Sequence, residues 1–246
     1  MEKLMLEMPS PNVSKIIPMN FLSLSSFPTD FVITPHANGI FEFDFPLKTD
    51  QRIKDIAQTA FEAHEKHIYD VGVTGFKSSL DEYAPVGSTR FCTMNYPFAE
   101  FLTKVVKHRS VVDLIKDENG NWMEMLNVSQ YFRFMRYTSG GQHFPHYDTD
   151  YEYEYNKAVT KYSLVAYFTR CETGAIAFVN HKGNEFEGKT TDWNRQATED
   201  EIYLKILPAP LKIVVFPHTL CHTVLPYTDK GSERIICRGD ILYKKV

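Results

Sequence analysis

Cysteine is scarce in this chain, and its four copies stand apart. Cys92, Cys171, Cys221 and Cys237 form no C-x-x-C pair, so the spacing supports neither a zinc ribbon nor a thioredoxin-like redox motif. The opening stretch, residues 1–15, has no apolar run that could serve as a signal-peptide core. No segment approaches the roughly 18 apolar residues of a membrane span. These absences point to a cytoplasmic chain with reduced thiols and no membrane partner. Excess positive charge is missing too. Twenty-seven Lys and Arg stand against 31 Asp and Glu, a formal net charge of −4, which argues against a broad nucleic-acid surface. There is also no internal repeat, low-complexity tract or interdomain linker.

What is present suits one domain. A length of 246 residues is enough for one sizeable core and marginal for two. Aromatic content is high, with 18 Phe and 14 Tyr, and aromatic residues favour strands.

The first half reads as an arm and supporting helices. Residues 1–30 mix Pro, Ser and short apolar clusters, as an irregular arm or edge strand would. Phe41-Glu42-Phe43-Asp44-Phe45 alternates as a half-buried strand does. A helix is expected from Asp50, with Ile53, Ile56, Ala57, Ala60 and Phe61 on one stripe. Residues 72–95 carry Gly and Pro and read as a loop or part of a lid. A second helix is expected from Pro97 to Lys116, followed by an Asp117-Glu118-Asn119-Gly120 turn. From residue 122 the texture becomes strand-rich: 128–137, 162–170, 175–180, 211–217 and 234–243. Turn signals such as Ser139-Gly140-Gly141 and Glu172-Thr173-Gly174 separate them. The fold class is therefore α+β: one domain over 1–246, with an arm and helices over 1–121 and a double-sheet jelly-roll core over 122–246.

The chemistry concentrates in His146-Tyr147-Asp148. Residues two apart on a strand share a face, so His146 and Asp148 can project together. Two imidazoles and one carboxylate, with open positions beside them, form the facial triad of non-haem iron sites. His222 or His218 could supply the second imidazole. Their four-residue spacing suits a zinc helix, yet Pro217 and the preceding apolar strand argue against a regular helix there. His143 lies an odd number of positions from His146, so a regular strand would put it on the opposite face. Arg234 and Arg238 share strand parity on the last strand, and an arginine offers bidentate geometry to a carboxylate.

Three stretches together resemble a known family. They are Phe134–Asp148, with its lead-in strand, Gly turn and His-x-Asp; Ile206–His222, with a Pro turn, an apolar strand and a distal His; and Gly231–Tyr243, with a basic residue followed by Arg-x-Asp-x-x-Tyr. Their order and spacing resemble the Fe(II)- and 2-oxoglutarate-dependent dioxygenases, in the prolyl-4-hydroxylase-like branch, also called double-stranded β-helix enzymes. The resemblance implies iron(II) on His146, Asp148 and His222, with His218 as a neighbour. It implies 2-oxoglutarate held by Arg234, with Tyr137, Tyr167 and Arg238 as further contacts, and O2 as the oxidant. Where such enzymes often show Gly-Gly-x-Thr-x-Phe, this chain has Gly174-Ala175-Ile176-Ala177-Phe178, so one cosubstrate or packing contact is absent. The retained Asp148 argues against the related halogenases.

The implied activity is hydroxylation of an unactivated C–H of a small metabolite, such as an amino acid or natural-product intermediate, with release of succinate and CO2. A peptidyl, prolyl-type hydroxylase is the alternative, and a non-catalytic metal-binding jelly-roll sensor the alternative of another class. Asp148-Thr149-Asp150-Tyr151-Glu152-Tyr153-Glu154-Tyr155 alternates acids with tyrosines. It reads either as a substrate loop for a cationic group or as a solvated edge strand. The connection 180–205, with Trp193 and Arg195, reads as a lid or a plain loop. Oligomeric state is not legible in the sequence.

Overall fold

Alternation of side chains around two packed sheets organises the molecule. The computed structural model describes residues 31–45, 86–108, 111–153, 157–180, 195–231 and 233–246. The expected arm over 1–30, the helix from Asp50 and residues 72–85 of the expected loop lie outside these.

In chain order the described strands are β1 Val32–Pro35, β2 Phe41–Asp44, β3 Val86–Met94, β4 Leu114–Lys116, β5 Trp122–Val128, β6 Tyr131–His146, β7 Glu152–Tyr153, β8 Ala158–Tyr167, β9 Ile176–Val179, β10 Ile202–Ile206, β11 Ile213–Pro217, β12 His222–Val224 and β13 Arg234–Lys245. Among the described residues one α-helix, α1, spans Tyr96–Lys107. The neighbour order is β1-β2-β11-β8-β13-β6-β12-β9-β10, with antiparallel pairings throughout. Strand β6 belongs to both sheets. Its first half, Arg133–Tyr137, pairs with β13 in the larger sheet, and His143 and His146 pair with β12 in the smaller one. This is a jelly roll.

The larger sheet is buried on both faces. Phe132 and Phe134 of β6, Leu164 and Ala166 of β8, and Ile235 and Cys237 of β13 point to an outer core with α1. Their neighbours Met135, Tyr137, Val165, Tyr167 and Ile236 point the other way, against Ile176, Phe178 and Val224 of the smaller sheet. Period-two alternation thus sorts each strand between two cores. Arg234 and Arg238 share the parity of Ile236 and enter the inter-sheet space.

Helix α1 starts where Asn95 accepts a hydrogen bond from the Phe98 N–H at 3.0 Å. Phe98, Leu102, Val105 and Val106 are buried on the outer core. The helix ends at Lys107, short of the expected Lys116, because the apolar stripe stops at Val106. Residues 114–116 form β4 instead and pair back onto β5. The Asp117 carboxylate closes that hairpin by accepting from the Asn119 and Asn121 N–H groups at 3.0 and 2.8 Å.

Three other expectations change. Residues 86–94 form β3, on the free edge of β6, and not a loop. The Ser139-Gly140-Gly141 signal does not end a strand. It lies within β6, where Gly140 takes φ +86° as the strand passes from one sheet to the other. Residues 202–205 of the expected long connection belong to β10. Among the described residues no helix is long and apolar enough to cross a membrane.

Candidate metal centre

His146 closes β6, and His222 opens β12 directly opposite it in the register. Their rings lie 4.2 Å apart, centroid to centroid. Asp148 follows β6 by two residues. Its Oδ1 is 3.9 Å from His146 Nε2, and its Oδ2 is 3.6 Å from His222 Nε2. One ligand atom from each of the three residues falls within 4.8 Å of the others.

Backbone carbonyls set the ring orientations. His146 Nδ1 is 2.8 Å from the Phe144 carbonyl, and His222 Nδ1 is 3.1 Å from the Leu220 carbonyl. A carbonyl only accepts, so each Nδ1 carries the hydrogen and each Nε2 keeps its lone pair for a metal. Burial, reinforced by the nearby Arg238 guanidinium, holds both imidazoles below their usual range and therefore neutral. Burial pushes the Asp148 carboxyl up, but the Arg238 guanidinium, with the Ser163 hydrogen bond, outweighs it and holds it well below the usual carboxylate range. Two neutral imidazoles and one carboxylate fit a divalent ion such as iron(II).

Arg238 faces this carboxylate. Its Nη2 is 2.8 Å from Asp148 Oδ1 and 3.0 Å from Asp240 Oδ1, and it donates to Ser163 Oγ at 3.2 Å. Ser163 in turn donates to Asp148 Oδ2. Asp240 also receives Arg133 Nη1 at 3.3 Å, and Arg238 leads the charges that bring it down to about 2 against its burial. His218 lies behind, 2% exposed. Its Nδ1 is 2.9 Å from Asp150 Oδ1, and its Nε2 is 3.4 Å from Asp240 Oδ1, within ion-pair range but off hydrogen-bond geometry. Burial pushes His218 down, and these two acids outweigh it and raise its affinity for a proton.

Arg234 sits four residues up the same face of β13, about 13 Å along the strand. It is fully buried. Among the described residues its Nε, Nη1 and Nη2 have no hydrogen-bond partner. Its guanidinium carbon lies 4.6 Å from the Tyr137 ring centroid and 5.5 Å from that of Tyr167. The Tyr137 hydroxyl donates to Met135 Sδ at 3.6 Å. The Tyr167 hydroxyl feels the Arg234 charge but lies outside hydrogen-bond geometry, and burial pushes it up to about 12. Gly174, at φ +70°, lets the chain close over this arginine: a Cβ there would be 3.0 Å from Arg234 Cδ.

His143 departs from expectation. Its ring stacks on His146 at 3.9 Å, on the same side and not the opposite one. The register explains this. His143 faces Val224 and His146 faces His222, so three steps on β6 oppose two on β12. That extra residue is a β-bulge, and it reverses the parity.

In the acid–tyrosine stretch Thr149, Asp150 and Glu152 are exposed and Tyr151 and Tyr153 half-buried. Asp150 pairs with Lys161 and His218, Tyr151 lies 5.9 Å from the Arg133 guanidinium, and the Tyr153 hydroxyl is 3.4 Å from Ser129 Oγ. Sequence reasoning missed Ser163, Gln196 and Thr223. Ser163 did carry a signal, as a hydroxyl at the parity of Val165 and Tyr167 in an apolar strand. Gln196 carried none.

No family model matches this chain, and neither does any curated protein. Solved structures do. OsALKBH1 aligns over 84% of this chain and 100% of its own, at 11% identity and a TM-score of 0.51, and the likeness is one of fold. A prolyl-4-hydroxylase of Pseudomonas putida aligns over 83% of this chain and 92% of its own, at 15% identity and a TM-score of 0.45. HygX from Streptomyces hygroscopicus, solved with nickel and 2-oxoglutarate bound, aligns over 85% and 84%, at 11% identity and a TM-score of 0.46.

Proposed function

We propose that this chain is an iron(II)- and 2-oxoglutarate-dependent dioxygenase. His146, Asp148 and His222 hold the metal, and Arg234 receives the distal carboxylate of the cosubstrate. The observation that carries the reading is Arg234. An arginine buried without a hydrogen-bonding acid among the described residues is costly, and a carboxylate ligand removes that cost. It lies on the same inward face of β13 as Arg238, which touches the metal-binding carboxylate. A dicarboxylate reaching from the metal towards Arg234 would run along this face.

When bound, the iron and 2-oxoglutarate supply the oxidising chemistry, with O2 consumed and succinate and CO2 released. The protein's own groups bind and orient. The Nδ1 hydrogen bonds fix each imidazole tautomer. Arg238 and Ser163 hold both oxygens of Asp148. Tyr137 lends its ring face to the Arg234 cation, and the Tyr167 hydroxyl is available to donate to a cosubstrate oxygen. Arg238 acts on the metal carboxylate, so the cosubstrate contact falls to Arg234.

The substrate we favour is a small metabolite, hydroxylated at an unactivated C–H. The acid–tyrosine stretch offers it no free cation site at Asp150, which is already paired. The test begins with calorimetric titration of 2-oxoglutarate into the Mn(II)-loaded protein without oxygen, where one-to-one binding is expected. Succinate should then form slowly with Fe(II) and O2 alone. No 2-oxoglutarate binding would sink the proposal. Mass spectrometry of a treated cell extract then identifies the substrate as the species gaining one oxygen. If only peptides gain it, the metabolite reading gives way to the peptidyl one.

A further inference from the structure

Strands β6 and β12 carry both histidines, yet their ladder is broken beside them. A bulge interrupts the ladder between His143 and His146, and backbone carbonyls beside a broken ladder need donors from elsewhere. Two side chains meet this need. Gln196 Nε2 donates to the Val224 carbonyl at 2.8 Å and to the His143 carbonyl at 3.3 Å. The Thr223 hydroxyl, fully buried, lies 2.6 Å from the His143 carbonyl and 2.7 Å from Gln196 Oε1, sharing its one hydrogen between them. Thr223 adjoins His222, so strand parity turns it to the opposite side of β12. The clamp therefore sits behind the sheet from the metal-facing imidazoles.

We infer that Gln196 and Thr223 are positioning residues for the metal centre. They hold the bulge in the one register that sets His146 opposite His222. The inference rests on reading His146, Asp148 and His222 as metal ligands. The amide is specifically required. Both Nε2 hydrogens are used on carbonyls of two different strands, and the reversed amide would point Oε1 at those two carbonyls. A glutamate in place of Gln196 has the same shape but sets an oxygen lone pair against both. The segment that carries Gln196 is tethered separately, by Arg195 to Glu201 at 2.7 and 2.8 Å. Backbone docking and the amide clamp can thus be told apart.

The test is Co(II) affinity, read by calorimetry and by the visible absorption of the bound ion, with no turnover involved. Wild type should bind one Co(II), and H146A should not. If wild type does not bind, the metal reading fails before the clamp is addressed. Given wild-type binding, Q196E should weaken Co(II) about tenfold or more and alter the absorption bands, as loss of an outer partner of a ligand does. R195A should stay within about twofold of wild type, because it leaves the amide in place. Q196E binding as tightly as wild type, or R195A losing as much as Q196E, would overturn the inference. If Q196E does not fold, T223V and T223S decide. The first should lose affinity and the second, which keeps the hydroxyl, should restore it; equal affinities refute the clamp.

Discussion

Replacing Arg234 with methionine should move stability and cosubstrate binding in opposite directions. The side chain is fully buried, and its three guanidinium nitrogens find no hydrogen-bond partner among the described residues. Desolvating such an ion costs several kcal/mol. Its position over Tyr137 and Tyr167 returns up to about 2 kcal/mol per ring in a desolvated site. Methionine has a similar length and no charge, so it removes both terms and leaves the packing nearly intact. The ligand-free protein should therefore be unchanged or up to about 2 kcal/mol more stable, a rise of at most roughly 4–8 °C in Tm for a chain of this size. Binding of 2-oxoglutarate should weaken by about 2–5 kcal/mol, the cost of truncating one partner of a buried charged pair, or roughly 30- to 5000-fold. Urea denaturation without ligand, and anaerobic calorimetry with Mn(II) and 2-oxoglutarate, measure the two effects on the same preparation. A variant destabilised by more than about 2 kcal/mol but binding 2-oxoglutarate as before would refute the reasoning. It would mean that Arg234 is a structural residue with a partner of its own.

Two further outcomes test the charges around Asp148. The Arg238 guanidinium keeps this carboxyl ionised, so the stability it contributes is present above the ordinary carboxylate range and is lost as pH falls through the lowered value. R238M should raise that value and move the acid-unfolding midpoint, followed by circular dichroism, to higher pH; an unchanged midpoint would detach Arg238 from Asp148. His218 has the opposite sign. Its proton affinity is raised by Asp150 and Asp240, so its contribution is complete below the unfolded histidine value of about 6.5 and fades as pH rises through the folded one. The stability gap between wild type and H218Q should accordingly be widest in acid and shrink as pH rises in urea titrations, and a gap that grows with pH would contradict the assignment.

The chain's own pattern carries much of this molecule. Period-two alternation in β8 and β13 is local, and it already says which residues face inward, including Arg234 with Arg238 and Tyr167 with Ser163. The Asp117–Gly120 turn is likewise written in the side chains that make it. Strand β3 was not legible, because its place depends on the free edge of a strand some 40 residues later, and pairing overrides its Gly- and Pro-rich neighbourhood. The early end of α1 was misread for a related reason: residues 114–116 gain more from pairing with β5 than from extending a helix whose apolar stripe has run out.

By itself the sequence determined the chemistry on offer: two imidazoles, a carboxylate two positions from one of them, and two arginines on one strand face. Tertiary structure alone decided how these divide the work. It set Arg238 on Asp148 and left Arg234 buried without an acid among the described residues, although both have the same parity. It also placed His143 beside His146 by inserting one residue into a ladder. Strand parity is a property of the chain, but a bulge is a property of two chain segments paired out of step, held here by an amide from a third.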